Sequence, residues 1–598
     1  MAPKLTDQRD IDFVLYEQFQ VDAFLTSEKY KTFNKKMFDM VIKEAKNLAV
    51  KEIFPTYTQC DNEGVIFENG MVKVPECLRK PHRLLVEGEW CALTENPEYG
   101  GQGLPFSIAQ AAMEYITCAN YVLTTYPILS HGAGKMIDLF GTREQKDLFL
   151  EKLYTGVWGG TMLLTEPGAG SDVGALTTSA KKLDDGTYEI TGSKIFITNG
   201  EQNLTDNIIH PVLARIEGAP AGTKGISLFI VPKIWVNKDG TFGELNDVVC
   251  TGVEEKMGIH GSPTCSLSLG SKGRCRGFLL GTPNRGMQIM FHMMNEVRLE
   301  VGTQAFASAN LAYLHALDYA KQRLQGRSIE KLADHGAGQV PIIRHPDVKR
   351  MLLKMKSYVE GIRSLIYYVA YCFDKKETAT NKQEVQDYSN LVEILTPVVK
   401  AYSSEKGFDV CVEAMQIFGG YGYTREYPVE QMVRDCKIAS IYEGSNGIQA
   451  MDFLGRKVAG NNAALLDVLI REIKATIWIA KGHDNLNELA IKLEAALVLF
   501  EVTCKNTANA LLSKHMASAF ACAHPLMEAT GDIIMAWMLL WRANISIEKL
   551  DTKESDFYQG KIKTAQFFIT TIIPATMGKL TAITYENNPA ASMEEHLF

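Results

Sequence analysis

A change of pattern near residue 160, reversed near residue 284, constrains the fold more than any other feature. Between these points short β-branched runs alternate with turn residues. Tyr188-Glu-Ile-Thr-Gly, Lys194-Ile-Phe-Ile-Thr198-Asn-Gly and Gly225-Ile-Ser-Leu-Phe-Ile-Val-Pro are strand-and-turn units. Helical periodicity holds on both sides. Residues 1 to about 55 read as helix: Phe13, Leu15, Phe19, Val21 and Phe24 cluster, and Met37, Val41, Ala45 and Ala49 recur every four residues. Asn62-Glu-Gly and Glu68-Asn-Gly bracket a short hairpin. The glycine-rich turn 96–105 leads into helix over 106–156. Helices are expected again at Met287 to Arg323, His345 to Asp374, Val385 to Gln416 and Tyr427 to Ile438, with a polar loop at 325–344. In the last block Leu493, Ala496, Leu497, Phe500 and Thr503 share one helix face.

The expected class is mainly α with a central β domain. At 598 residues the chain exceeds one core. Four domains are expected: 1–159, helical with a hairpin; 160–283, β; 284–460, helical; and 461–598, a further helical block. A net charge of −8 argues against a broad nucleic-acid surface. The 12 cysteines form no Cys-x-x-Cys pair, so no metal site is expected. Isolated thiols fit a reducing compartment. The start is polar and acidic, unlike a signal or transit peptide. The apolar run Ile533 to Trp541 is too short to span a bilayer. A cytoplasmic location is the expectation.

The stretch Arg434 to Gln449 holds one carboxylate, Glu443, between Tyr442 and Gly444, with Ile438, Ile441 and Ile448 nearby. A glutamate held against apolar surface has a raised pKa and suits a general base. The same residue also reads as an exposed glutamate before a helix capped by Ser445. Thr165, Ser171 and Thr198 at strand ends, with Phe196, would suit the rim and wall of a flat heteroaromatic ring. They equally suit turn capping and core packing. Gln416-Ile-Phe-Gly419-Gly420 ends a helix, either over a phosphate or as a C-cap. Arg323 and Arg327 would serve phosphate oxygens or stay solvated. No Gly-x-Gly-x-x-Gly supports a Rossmann site.

Five motifs occur in order: Thr165-Glu-Pro-Gly-Ala-Gly-Ser171-Asp-Val; Lys194-Ile-Phe-Ile-Thr-Asn-Gly200; Gln416-Ile-x-Gly-Gly; Tyr427-Pro-Val-Glu; and Arg434-Asp-x-Lys-Ile-x-x-Ile-Tyr-Glu443-Gly-Ser-Asn-x-Ile-Gln449. Together they resemble the acyl-CoA dehydrogenase family of flavoenzymes over roughly 80–460. The length and the added C-terminal block most resemble its long bacterial subgroup. The resemblance implies an N-terminal helical domain, a middle β-barrel-like domain, a C-terminal four-helix bundle and, here, an extra C-terminal helical domain.

The resemblance also implies FAD between the β domain and the bundle. Thr165 would bond the flavin edge, Ser171 would lie on the same rim, Thr198 would approach N5 and Phe196 would flank the ring. Arg323, Gln416, Gly419 and Gly420 would serve the phosphates and adenine across a subunit interface. Ser445 stands where a threonine is usual. Glu443 would be the base, with Tyr442 and Gly444 against the substrate and Arg298 near CoA. Val297 occupies the alternative base position of some relatives and cannot take a proton. The implied reaction is α,β-dehydrogenation of a saturated acyl-CoA, short-to-medium weakly preferred, with electrons passed to electron-transferring flavoprotein. A homodimer is the simplest expectation. The alternatives are an acyl-CoA oxidase and a DNA-binding flavoprotein on the same scaffold.

Overall fold

The computed structural model describes residues 4–598 except 332, 334, 335, 337, 461, 462 and 587. The first residues of the polar start, parts of the loop 325–344 and the beginning of the last block therefore lie outside the described residues. The chain divides into two units. One comprises Met1–Ile42, Phe106–Glu114 and Arg298–Phe598; the other comprises Lys43–Pro105 and Tyr115–Val297.

The second unit holds the β structure. Tyr188–Thr198 pairs with Arg276–Leu280, which pairs with Ile226–Pro232, then Ile208–Ile216, then Ser179–Lys182, which returns to Tyr188–Thr198. The ladder closes on itself, which leaves these strands few free edges. Thr264–Leu269 and Val248–Val253 extend it beyond Tyr188–Thr198. Ile226–Pro232 is buried along its whole length, as its apolar run from Leu228 to Val231 requires, and the buried Ser227 hydroxyl accepts from Asn284 N at 2.8 Å. Leu213, Leu228 and Ile230 pack with Phe149 and Leu153 of helix Arg143–Tyr154 and with Trp158 just beyond it. The expected hairpin is present as Ile66–Glu68 and Met71–Lys73.

The first unit is helical. Its long elements are Pro346–Thr378 and Lys382–Phe418, joined by a short turn, with the C-terminal part of Gly286–Gln322. The last block adds Ala464–Lys481, Asp484–Leu511, Ala523–Ile547 and Ser555–Ala582. Helix Ala523–Ile547 is apolar on nearly every side and correspondingly buried. Gly531 permits its close approach to Lys382–Phe418: a Cβ there would lie 2.0 Å from the Tyr402 ring. Among the described residues no helix is long and apolar enough to cross a membrane.

Two local expectations differ from the structure. The N-terminal stretch is not one helix run: Gln20 takes a left-handed φ of 50°, separating a π-helical turn at Phe13–Gln18 from the 3-10 turn Val21–Thr26. In helix Lys35–Leu48 the buried face runs through Phe38, Ile42 and Ala45, so Met37 and Val41 sit at its edge. Four-residue spacing leaves the phase of the face open by one residue.

Candidate active site

Glu443 lies in a turn between two helical segments. Helix Val429–Cys436 runs into the 3-10 turn Lys437–Ser440, and helix Asn446–Asp452 starts just beyond. The Ile441 and Tyr442 amides close the turn on Ile438 O at 2.8 and 3.1 Å. Glu443 has φ 55° and Gly444 φ 83°. Glycine takes that conformation freely; a glutamate does so at a cost that surrounding structure must cover. Gln449 donates from Nε2 to Glu443 O at 3.1 Å, and Lys400 donates from Nζ to Gly444 O at 2.7 Å. Ser445 is the N-cap residue of the following helix, but its hydroxyl makes no cap bond.

The Glu443 side chain is half-buried. Burial raises its pKa, against the opposing pull of Lys400 and Arg298. Arg298 is itself buried, pairs with Asp452 at 3.1 Å and has its own pKa lowered by burial. Its Nε finds no hydrogen-bond partner among the described residues. The Tyr442 hydroxyl donates to Gln304 Oε1. Val297 is buried. The turn thus offers a proton acceptor of raised pKa close to two buried cations.

The β unit gathers a second set. Thr165 ends an extended segment whose carbonyl accepts from Ile195 N at 2.9 Å. In the pairing with Thr264–Leu269, Lys194 faces Leu267 and Ile197 faces Cys265, so two residues oppose one. Phe196 sits in this bulge at φ 57° and is 58% exposed. Thr198 follows, opposite Thr264 and half-buried. Ser171 is exposed in the loop after the tight turn at Glu166–Ala169.

Beneath this rim lies an ion pair with no assigned part in the sequence reading. Lys194 is fully buried and donates to Glu166 Oε1 at 2.9 Å, Leu164 O at 3.0 Å and Leu213 O at 2.9 Å. Glu166 also accepts from the Thr177 and Thr178 amides and hydroxyls. Burial would raise the Glu166 pKa, but these donors and Lys194 win and carry it down to about 2. Both residues stand inside the sequence motifs; a lysine directly before the apolar run Ile195-Phe-Ile197 was the available signal.

A third set lines a cleft of about 530 Å³ in the helical unit: Arg323, Gly419 and Gly420, with Tyr319, Phe418 and Tyr421. Tyr319 and Phe418 stack at 4.2 Å, and the Arg323 guanidinium lies 5.7 Å from the Tyr421 ring centre. Gly419 caps helix Lys382–Phe418 at φ 62°. A Cβ at Gly419 or Gly420 would meet nothing within 4 Å, so their backbone is open. Gln416, one turn earlier, is exposed and does not line the cleft. Elsewhere, Glu95, His131 and Glu296 bring ligand atoms within 4.8 Å of one another. The Lys135 ammonium already sits on Glu95 at 2.8 and 2.9 Å.

Family models match the chain in order: Acyl-CoA dehydrogenase, N-terminal domain, over 36–157; middle domain, over 161–271; C-terminal domain, over 284–458; and Acetyl-CoA dehydrogenase C-terminal like, over 469–594. A butyryl-CoA dehydrogenase of Syntrophomonas wolfei is 34% identical, with 99% of each chain covered. The 3-methylmercaptopropionyl-CoA dehydrogenase of Ruegeria pomeroyi is 35% identical over 96% of this chain and 97% of its own. The crystal structure of an acyl-CoA dehydrogenase complexed with FAD from Bacillus anthracis matches the fold with a TM-score of 0.73 at 24% identity, covering 96% of this chain and 93% of that one. Full-length identity above 30%, with the domains matched in order from end to end, places this chain in the acyl-CoA dehydrogenase family.

Proposed function

We propose that this enzyme catalyses α,β-dehydrogenation of a saturated, short-to-medium acyl-CoA with FAD, and passes the electrons to electron-transferring flavoprotein. The residues suit FAD. The cleft at Arg323 has a cationic rim, aromatic walls and two open glycines, which match phosphates and an adenine ring. Thr165, Ser171, Thr198 and the exposed Phe196 match the edge and face of an isoalloxazine. When bound, FAD supplies the acceptor for the β-hydrogen.

The protein's own part is proton chemistry and orientation. Glu443 removes the α-proton, and its raised pKa gives the carboxylate basicity for that step. A bound acyl chain excludes more water and raises it further. The Glu443 backbone N–H is the donor for the thioester oxygen as negative charge grows there. Gly444 lets the thioester come close to the backbone. Tyr442 walls the turn, and buried Arg298 keeps positive charge near it. The short-to-medium preference follows the butyryl and 3-methylmercaptopropionyl groups in the names of the two full-length relatives. A homodimer and a cytoplasmic location complete the proposal.

One observation carries the reading: a half-buried carboxyl of raised pKa, held in a left-handed turn beside two buried cations. The test is anaerobic loss of the oxidised flavin spectrum with a panel of acyl-CoA thioesters, then steady-state turnover with electron-transferring flavoprotein or a dye. Glu443→Gln should retain flavin and bind acyl-CoA, yet bleach at least ~10³-fold more slowly, by loss of the base. Bleaching of the variant at the parent rate refutes the assignment.

A further inference from the structure

The geometry points to Lys400 as a positioning residue for catalysis, its ammonium bracing the Glu443 turn from beneath. This rests on the dehydrogenase reading above and adds to it a residue that acts through the backbone of the Glu443 turn.

Lys400 stands in the middle of helix Lys382–Phe418, in the apolar run Thr396-Pro-Val-Val-Lys400-Ala-Tyr, and is fully buried. A lysine so placed costs free energy unless its charge and donors are met. They are met almost wholly by the catalytic turn. Nζ donates to Gly444 O at 2.7 Å and to Asn446 Oδ1 at 3.0 Å. The bonded carbonyl belongs to the residue directly after Glu443, so the bond holds the second of two consecutive left-handed residues. Asn446 is anchored in turn: its amide donates to Ala401 O, Ser404 Oγ and Glu405 Oε1 at 3.2, 3.0 and 2.9 Å. Glu405 also meets His524 of the added C-terminal block at 2.7 Å. The turn is therefore pinned to one face of a long helix, and that helix is tied to the extra helices.

The brace also acts electrostatically. The charged or titratable groups that act on Glu443 are Lys400 and Arg298, with Tyr442 adjacent; those that act on Lys400 are Glu443, Arg298 and Glu405. Burial lowers the Lys400 pKa to about 7 while Glu443 opposes the fall, so the two groups are mutually dependent. A cation below the turn favours the ionised carboxylate, the form that accepts a proton. It also supports a strained backbone that would otherwise relax.

Lys400→Met keeps an unbranched stem one atom shorter and removes both charge and donor; Lys400→Gln removes the charge and keeps a donor. With butyryl-CoA as the probe, the Met variant should lose roughly 10- to 100-fold in kcat with KM within about threefold, because the base is misplaced while binding survives. The acid limb of kcat/KM should move up by about one pH unit in both variants, because the carboxylate loses a nearby cation. The Gln variant should recover part of the lost kcat. A purely structural lysine would lower stability without moving the acid limb. If the Met variant does not fold, the Gln variant decides by the same limb. Parent-like kcat with an unmoved acid limb in a flavin-loaded variant overturns the brace. Failure of the parent itself to bleach with every thioester overturns instead the dehydrogenase reading beneath it.

Discussion

Phe196 and Glu443 share a property no local rule assigns to them: each is a bulky residue held at positive φ. Left-handed backbone costs an L-residue about 1–2 kcal/mol, and such outliers gather where function over-determines the structure. Phe196 has little packing to offset that cost, being 58% exposed. Phe196→Gly should therefore raise the stability of the apoprotein by about 1 kcal/mol, read from a urea midpoint. The same change should weaken flavin retention during gel filtration, since the ring wall is gone. A variant that is less stable yet keeps its flavin would show that Phe196 serves packing. Glu443 was legible in the sequence as a carboxylate between an aromatic residue and a glycine. Its backbone conformation was not, because Gly444 alone is enough to explain a turn there.

At the scale of elements, the strand Tyr188–Thr198 shows how a site rim is held. It carries two of the proposed flavin contacts, Phe196 and Thr198, while Lys194 points inward to Glu166. Breaking a buried ion pair leaves an uncompensated charge and costs about 3–5 kcal/mol. Glu166→Gln should cost about 3 kcal/mol in denaturant unfolding and loosen the flavin by displacing Thr165 and the bulge. The pH dependence follows from sign. The folded Glu166 pKa lies below the unfolded value, so its contribution is present above the ordinary glutamate range and is lost as pH falls toward about 2. The parent's acid unfolding should thus reach equal midpoint denaturant at a lower pH than the Gln variant's. Coincident acid transitions would remove Glu166 from the account. Strand periodicity located this element well, but put no partner on Lys194, because Glu166 lies on a separate segment 28 residues earlier.

Across the whole chain, the helical unit is tied together by a buried charged cluster. Arg363 bonds Asp10 Oδ2 at 2.6 Å, Glu114 Oε1 at 2.8 Å and Asn310 Oδ1 at 2.9 Å. Arg542 and Lys561 also meet Asp10, and Lys561 meets Glu360 at 2.6 Å. The N-terminal helix Gln8–Asp12, the long helix Pro346–Thr378 and two helices of the added block thus share one network. With Asp10, Glu114, Arg363 and Arg542 each at most 2% exposed, any single removal strands several charges. Arg363→Met should cost about 3–5 kcal/mol and lower the unfolding midpoint of the whole helical unit in one transition. Loss of the N-terminal residues alone, with the remaining helices melting as in the parent, would show that the cluster does not couple them.

The order of helical and strand-rich blocks, the five motifs and the identity of the carboxylate are properties of the amino-acid sequence, since periodicity and turn residues act over a few positions. The phase of the helix at 35–48 already lay beyond that reach. Only the folded chain decided which buried charges meet: Lys400 with Gly444, Lys194 with Glu166, and Asp10 with Arg542 across 532 residues. A charged side chain buried away from water must find its counterpart wherever folding brings one, and neither spacing nor composition records that position.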